Sequence, residues 1–414
     1  MRKFMKICVA LTIMYPSASL AEMTLKFIHY QSGNQPELRE ILNEFEALNP
    51  GIKVQDLPTQ GAGQVVSEIQ AAAAAKRPFD VGQVLARTVL GVIDIANGQE
   101  FSKSPDGGAF MNNISQKLVN VANVDGELYM MPHSFGTPML YINLDMVEKA
   151  GYSKDWRPKN HEDALAVAKK IAESTNLPGI CYATGGIDFM HQTMVRAKGS
   201  PYLKNDRAVF DDEAGIQMFQ LWADLADEGI HPKIPGKDCG AAFNAGRLGM
   251  IINSSAALRG NTKAAEGRYE LGVTKFPLFE NVSNGELPNS GSGLMVLAQE
   301  PERIEASFKL LMFLSQPEVT NRWSRNTGYM PVAVDPMADE KTVQYIESNP
   351  DYAAVIEQMK QTSPTILWPG NRIVEAQTVV ANLLEDLWAG KGTAAELAPI
   401  AADEGDRILD ESTK

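Results

Sequence analysis

The sequence predicts an α/β protein built as two lobes that the chain visits alternately. Three observations carry this. Strand-like and helix-like segments alternate over about sixty residues near the start, the rhythm of an open, mainly parallel sheet. The pattern breaks at Tyr129-Met130-Met131-Pro132 and then starts again. Further breaks at Phe276-Pro277 and Gly328 mark where the chain returns.

The elements follow in order. Residues 23–30 (MTLKFIHY) form a first strand. Residues 37–48 (ELREILNEFEAL) place apolar residues at helical spacing, and Asn49-Pro50-Gly51 ends the helix. A strand at 52–57, a helix at 63–76 with its alanine run, and a strand at 80–85 complete the opening pattern. A strand at 138–143 leads into a helix at 144–150, and helices follow at 161–173 and 213–227. Strands are expected at 248–252 (LGMII), at 269–277, closed by proline, and at 293–298. Helices are expected at 302–314, 373–388 and 393–409.

Residues 1–21 have the order of a cleavable secretory signal. Arg2, Lys3 and Lys6 precede an apolar stretch too short to span a bilayer, and Ser19-Leu20-Ala21 offers small residues for cleavage after Ala21. The expected location is therefore the periplasm. The whole chain carries a formal charge of −13, and the basic signal segment makes the remainder more acidic still. This argues against nucleic acid or an anionic membrane as partner. Cys181 and Cys239 remain after cleavage. They either pair as a disulfide in an oxidising compartment or stand as two buried thiols. No CxxC and no paired Cys/His spacing suggests zinc.

Enzyme signatures do not emerge. The five histidines, His29, His133, His161, His191 and His231, show no metal spacing. No nucleophile elbow, dinucleotide fingerprint or P-loop occurs. With 51 acidic residues, any pair of carboxylates proposed for glycoside hydrolysis is arbitrary. A secreted hydrolase acting on carbohydrate is the alternative reading, behind a binding protein with no catalytic residue, no metal and no cofactor.

Several strings, taken in order, carry a family likeness. They are Pro132-His133-Ser134-Phe135-Gly136-Thr137-Pro138-Met139-Leu140-Tyr141-Ile142-Asn143, residues 248–255, residues 269–277, Thr327-Gly328-Tyr329-Met330-Pro331-Val332, and residues 383–391. On these the chain resembles the extracellular solute-binding proteins of bacterial ABC importers, in the branch that binds glycerol 3-phosphate and sugars. The resemblance implies a two-lobed periplasmic binding protein fold with three inter-lobe crossings. One lobe is expected from residues 22–132 plus 277–328, the other from 133–276 plus 329–414. It also implies a monomer that captures a sugar, polyol or glycerol derivative, neutral or anionic, and delivers it to the membrane subunits of a permease.

Candidate ligand residues lie just past strands, where open α/β sheets bind ligands. Ser254 and Ser255 follow LGMII, either as a plain helix cap or as hydroxyls for a ligand; the family uses a serine here. Gly136 and Thr137 precede a strand, and a glycine lets backbone approach a ligand or serves as a hinge; relatives carry serine at the position of Gly136. Tyr329 stands where the family's tyrosine meets ligand. His29, Tyr30 and Gln31 end the first strand, Gly291 precedes a later one, and Asp188 lies where the family has a tryptophan-rich loop. Three departures bear on the ligand. The family's ligand-touching tyrosine is absent from Gln60-Gly61-Ala62-Gly63-Gln64. A family glutamate after Gln83-Val84 is replaced by Leu85-Ala86-Arg87, and the family's late arginine aligns near Gln377, with Arg372 five residues earlier. Arg87 and Arg372 are thus candidates to hold an anionic group.

Overall fold

The computed structural model describes residues 23–119, 123–124, 126–183, 189–234, 236–282, 286–366, 368 and 372–412. The expected signal segment and Asp188 lie outside the described residues.

The first sheet starts with three parallel strands. β1 (Met23–His29) lies between β2 (Ile52–Pro58) and β3 (Val81–Leu85). Helices α1 (Gln35–Leu48) and α2 (Ala62–Ala74) make the crossovers. α1 buries Leu38, Ile41, Leu42 and Phe45, one face at helical spacing, and stops before Gly51, whose φ of 102° is open to glycine alone at little cost. α3 (Val89–Ala96) follows β3. After α4 (Gln116–Val119) comes a short ribbon of β4 (Asn123–Val124) and β5 (Glu127–Leu128). β6 (Met131–Gly136) then runs through the interior, every residue buried.

A single residue, Thr137, separates β6 from β7 (Pro138–Asn143), which belongs to a second sheet. Helices α5 (Leu144–Lys149) and α6 (His161–Thr175) lead to β8 (Ile180–Tyr182). α7 (Phe189–Ala197), a ribbon of β9 (Leu203–Lys204) and β10 (Arg207–Ala208), α8 (Glu213–Asp227) and α9 (Gly236–Asn244) lead to β11 (Met250–Ser254). α10 (Leu258–Ala265) and β12 (Leu271–Lys275) follow. The strand order is β12-β7-β11-β8, with β7 antiparallel to both neighbours and β8 parallel to β11.

β13 (Leu287–Val296) returns the chain to the first sheet, antiparallel to both β3 and β6. It starts well ahead of the expected strand at 293, because Pro288, Gly291 and Gly293 read as a loop. Here the glycines instead admit a neighbour. A Cβ on Gly291 would stand 2.3 Å from the Ser134 carbonyl oxygen, and one on Gly293 2.4 Å from that of Met131. α11 (Pro301–Leu314) packs on this sheet, and α12 (Pro317–Thr327) packs on α1 and α11. The segment past Gly328 stays beside it, since Met330 N donates to Phe135 O and Ala333 bridges Ile114. α13 (Glu340–Ser348) and α14 (Pro350–Met359) lead to β14 (Thr362–Pro364), parallel to the start of β13. α15 (Ile373–Trp388) and α16 (Ala394–Ser412) pack on α8.

Two cores result. One fills the first sheet and one face of the second, taking Met139 and Tyr141 of β7; the other takes Leu140 and Ile142 from the opposite face. Phe276 packs in this latter core, so the chain reaches the first sheet only through β13. Cys181 and Cys239 are joined in a disulfide, with Cα atoms 6.1 Å apart, tying β8 to α9.

Candidate functional site

The carboxyl-terminal ends of β1, β3, β6 and β11 meet at the seam between the two sheets. Most of the expected ligand residues gather there. From β11, the Ser255 N–H donates to Thr137 O at 2.8 Å, and Thr137 N–H reaches Ser255 Oγ at 3.4 Å. Ser254 is half-buried. Its Oγ accepts from Ala256 N–H as the cap of the turn leading into α10, and Tyr141 donates its hydroxyl to Ser254 O at 2.9 Å. Gly136 closes against this serine, for a Cβ there would lie 2.2 Å from Ser254 Oγ. A serine at this position would have no room while Ser254 keeps its place.

The first sheet contributes from the other side. Tyr30 is half-buried and donates its hydroxyl to Ser292 Oγ at 2.8 Å. Burial raises its phenol pKa, and the charge of Arg87 opposes that shift. Arg87 follows β3 in a short turn, Ala86–Thr88, and is half-buried. Gln31 is buried and donates from Nε2 to the Tyr329 hydroxyl at 3.2 Å. Tyr329 lies nearly parallel to the Trp323 ring, with centroids 6.3 Å apart. It follows Gly328 at φ 84°, where a Cβ would stand 3.0 Å from Ser255 O, so Tyr329 borders both sheets.

His29 is fully buried. Its Nδ1 accepts from Gln31 N–H at 3.1 Å, and burial lowers its pKa to about 4 despite Asp56, whose carboxylate is 4.0 Å away. It is neutral at neutral pH and serves to shape the Tyr30-Gln31 turn. Gly291 gives β6 its close approach. Arg372 is not brought to the seam. It pairs with Glu375 and Glu411 where the start of α15 meets the end of α16, which meets its charge locally.

Four residues that the sequence did not point to complete the site. Gln83, Ser134 and Ser292 are fully buried, and Gln83 donates to both hydroxyls, at 3.2 and 2.9 Å. Trp323 donates to Ser134 Oγ at 3.2 Å. The available signal was a polar residue inside a strand whose neighbours are apolar on both sides, as in Val81-Gly82-Gln83-Val84. His29 Nε2, Gln83 Oε1, Thr137 Oγ1 and Asn289 Oδ1 are buried without a hydrogen-bond partner among the described residues. Such atoms are costly, about 1–3 kcal/mol each, unless a polar partner reaches them.

Comparisons with known proteins bear on the fold and the family. The sn-glycerol-3-phosphate-binding periplasmic protein of Yersinia enterocolitica is 22% identical over 97% of this chain and 96% of its own length. That of Rhizobium meliloti is 24% identical over 97% of this chain and 98% of its own. Among solved structures, UgpB of Mycobacterium tuberculosis in complex with glycerophosphocholine matches with a TM-score of 0.84, 18% identity, and 94% and 99% coverage of this chain and that one. The cyclic alpha-maltosyl-1,6-maltose binding protein of Arthrobacter globiformis matches at 0.81 with 19% identity, over 94% and 100%. These likenesses give the fold, a two-lobed α/β binding protein. The profile of bacterial extracellular solute-binding proteins matches residues 40–354, three quarters of the sequence, and the chain belongs to that family.

Proposed function

We propose that this chain is the periplasmic receptor of an ABC importer and that its solute is a small glycerol phosphoester. Lobes built on the two sheets clamp that solute. In this reading the lobes follow the expected division, with each of its three boundaries, 132, 277 and 328, moved some residues toward the carboxyl terminus. The strand pairing supports crossings at Thr137, early in β13 and past Ala333. The protein works as a monomer after losing residues 1–21, carries out no chemistry on its solute and binds no nucleic acid.

One observation carries the choice of solute: hydrogen-bond donors from both sheets converge on one seam. Arg87 acts on Tyr30 through its charge, Ser254 offers its hydroxyl at the start of a helical turn, and Tyr329 borders both sheets. The Asp56 carboxylate is already held by Arg39 at 2.9 Å and by Gln35 at 2.8 Å. Donors with a guanidinium among them suit an oxyanion. Relatives named for glycerol 3-phosphate, and a structural neighbour holding glycerophosphocholine, support the same class. A solute touching both lobes shifts the population toward the closed form.

Thermal unfolding against a solute panel tests this. sn-Glycerol 3-phosphate or glycerophosphocholine should raise Tm and be recovered unchanged, by about 2.7 kcal/mol of added stability at a hundredfold excess over Kd. Maltose should not, and Arg87→Ala should remove the effect. Stabilisation by maltose and by neither phosphoester would overturn the proposal.

A further inference from the structure

The two tyrosines at the seam differ in where their protons go, and one buried amide sets the difference. Ser134 Oγ accepts from Gln83 Nε2 and from Trp323 Nε1, each at 3.2 Å. A hydroxyl has two lone pairs and one proton, so both lone pairs are filled. The Ser134 proton therefore goes to His133 Nδ1 at 2.9 Å. Burial holds that histidine neutral, its pKa lowered to about 3, so the nitrogen is free to accept. Gln31 Nε2, at 3.5 Å from Ser134 Oγ, is too far to compete. Ser292 Oγ is filled in the same way, by Gln83 Nε2 at 2.9 Å and by the Tyr30 hydroxyl at 2.8 Å.

Tyr30 thus spends its proton inward and turns only lone pairs outward. Tyr329 is the reverse. Its oxygen accepts from Gln31, and its proton has no acceptor among the described residues. We propose that Gln83 is a specificity-determining positioning residue. It fixes Ser134 and Ser292 and, through Ser292, makes Tyr30 an acceptor while Tyr329 remains a donor. The site then selects a solute with a hydroxyl close to an acceptor-rich oxygen group, rather than either alone. The choice of solute class rests on the function proposed above; the proton arrangement does not.

Two measurements test this separately. The first compares affinity for sn-glycerol 3-phosphate and for 1,3-propanediol monophosphate, which lacks the central hydroxyl. The native protein should prefer the former by roughly tenfold or more, since a site built to pair with a hydroxyl rejects its absence. In Gln83→Met and Ser292→Ala the preference should fall to about threefold or less, and Ser292→Thr should retain it. Equal weakening toward both probes would overturn the proposal, leaving Gln83 a structural residue only. The second measurement needs no solute. The Tyr30 C–O stretching band, isolated by infrared difference against Tyr30→Phe, should shift in Ser292→Ala and in Gln83→Met; a band that stays in place overturns the proposal. If neither probe binds the native protein, the solute class fails and the band alone decides the proton arrangement.

Discussion

At the scale of single residues, the seam is fixed by what has no side chain as much as by what has one. Gly136 leaves the space that Ser254 Oγ occupies, 2.2 Å from where a Cβ would be. Gly136→Ala should push the serine off its cap on Ala256 N–H and weaken solute binding by about tenfold, the equivalent of one lost hydrogen bond. Tm should fall only slightly, because Ser254 is half-buried rather than part of the core. Titration calorimetry on the two proteins checks this, and unchanged affinity would remove Ser254 from the site. Residues that end strands, such as Tyr30 and Ser254, were legible in the sequence because strand ends in open sheets face ligands. Gln83 and Ser134 were not, since a buried polar residue has no pattern of its own until its partners, distant in sequence, are known. Arg372 illustrates the opposite limit: its guanidinium suits an anion, and only the fold reveals that Glu375 and Glu411 already hold it.

At the scale of elements, legibility followed burial on one face. α1, α6 and α8 show apolar residues at helical spacing and lie where the sequence puts them within a few residues. α7 was missed, being buried all round from Met190 to Ala197 with polar residues among its buried positions. Those side chains have partners far along the chain. Gln192 pairs through both ends of its amide with the Ile366 backbone, at 2.7 and 2.9 Å, and Arg196 bonds to Pro364 O. β6 was missed for the same reason, with His133 and Ser134 buried inside a strand. The disulfide between Cys181 and Cys239 was left open by the sequence, since only the fold brings residues 58 apart to a Cα separation of 6.1 Å. Closing a loop of that length stabilises by about 4 kcal/mol in the chain-entropy account. That stabilisation anchors α9 to β8, next to the strand that carries Ser254.

At the scale of the whole molecule, all five histidines are buried, and burial lowers every one, His29 to about 4 and His133, His161, His191 and His231 to about 3. The unfolded chain then binds more protons than the folded one below the ordinary histidine range. Stability is full above about pH 6.5 and is lost as pH falls toward 4, each group contributing up to about 1.4 kcal/mol per pH unit. Relief of repulsion in this acidic chain acts the other way. It begins only near the carboxylate range, about pH 4, so the histidines dominate between. Tm should decline steadily from pH 7 to pH 5 in scanning calorimetry, and a flat profile would show that the histidines are not held neutral. The same scale holds the mechanical claim. β6 and β7 pass from one sheet to the other through Thr137 alone, and the candidate contacts lie on both sides of that point. Small-angle scattering with and without the tightest-binding member of the phosphoester panel tests this most directly. Closure predicts a smaller radius of gyration and a shorter maximum dimension when solute saturates the protein. Superimposable profiles at proven saturation would contradict the clamp.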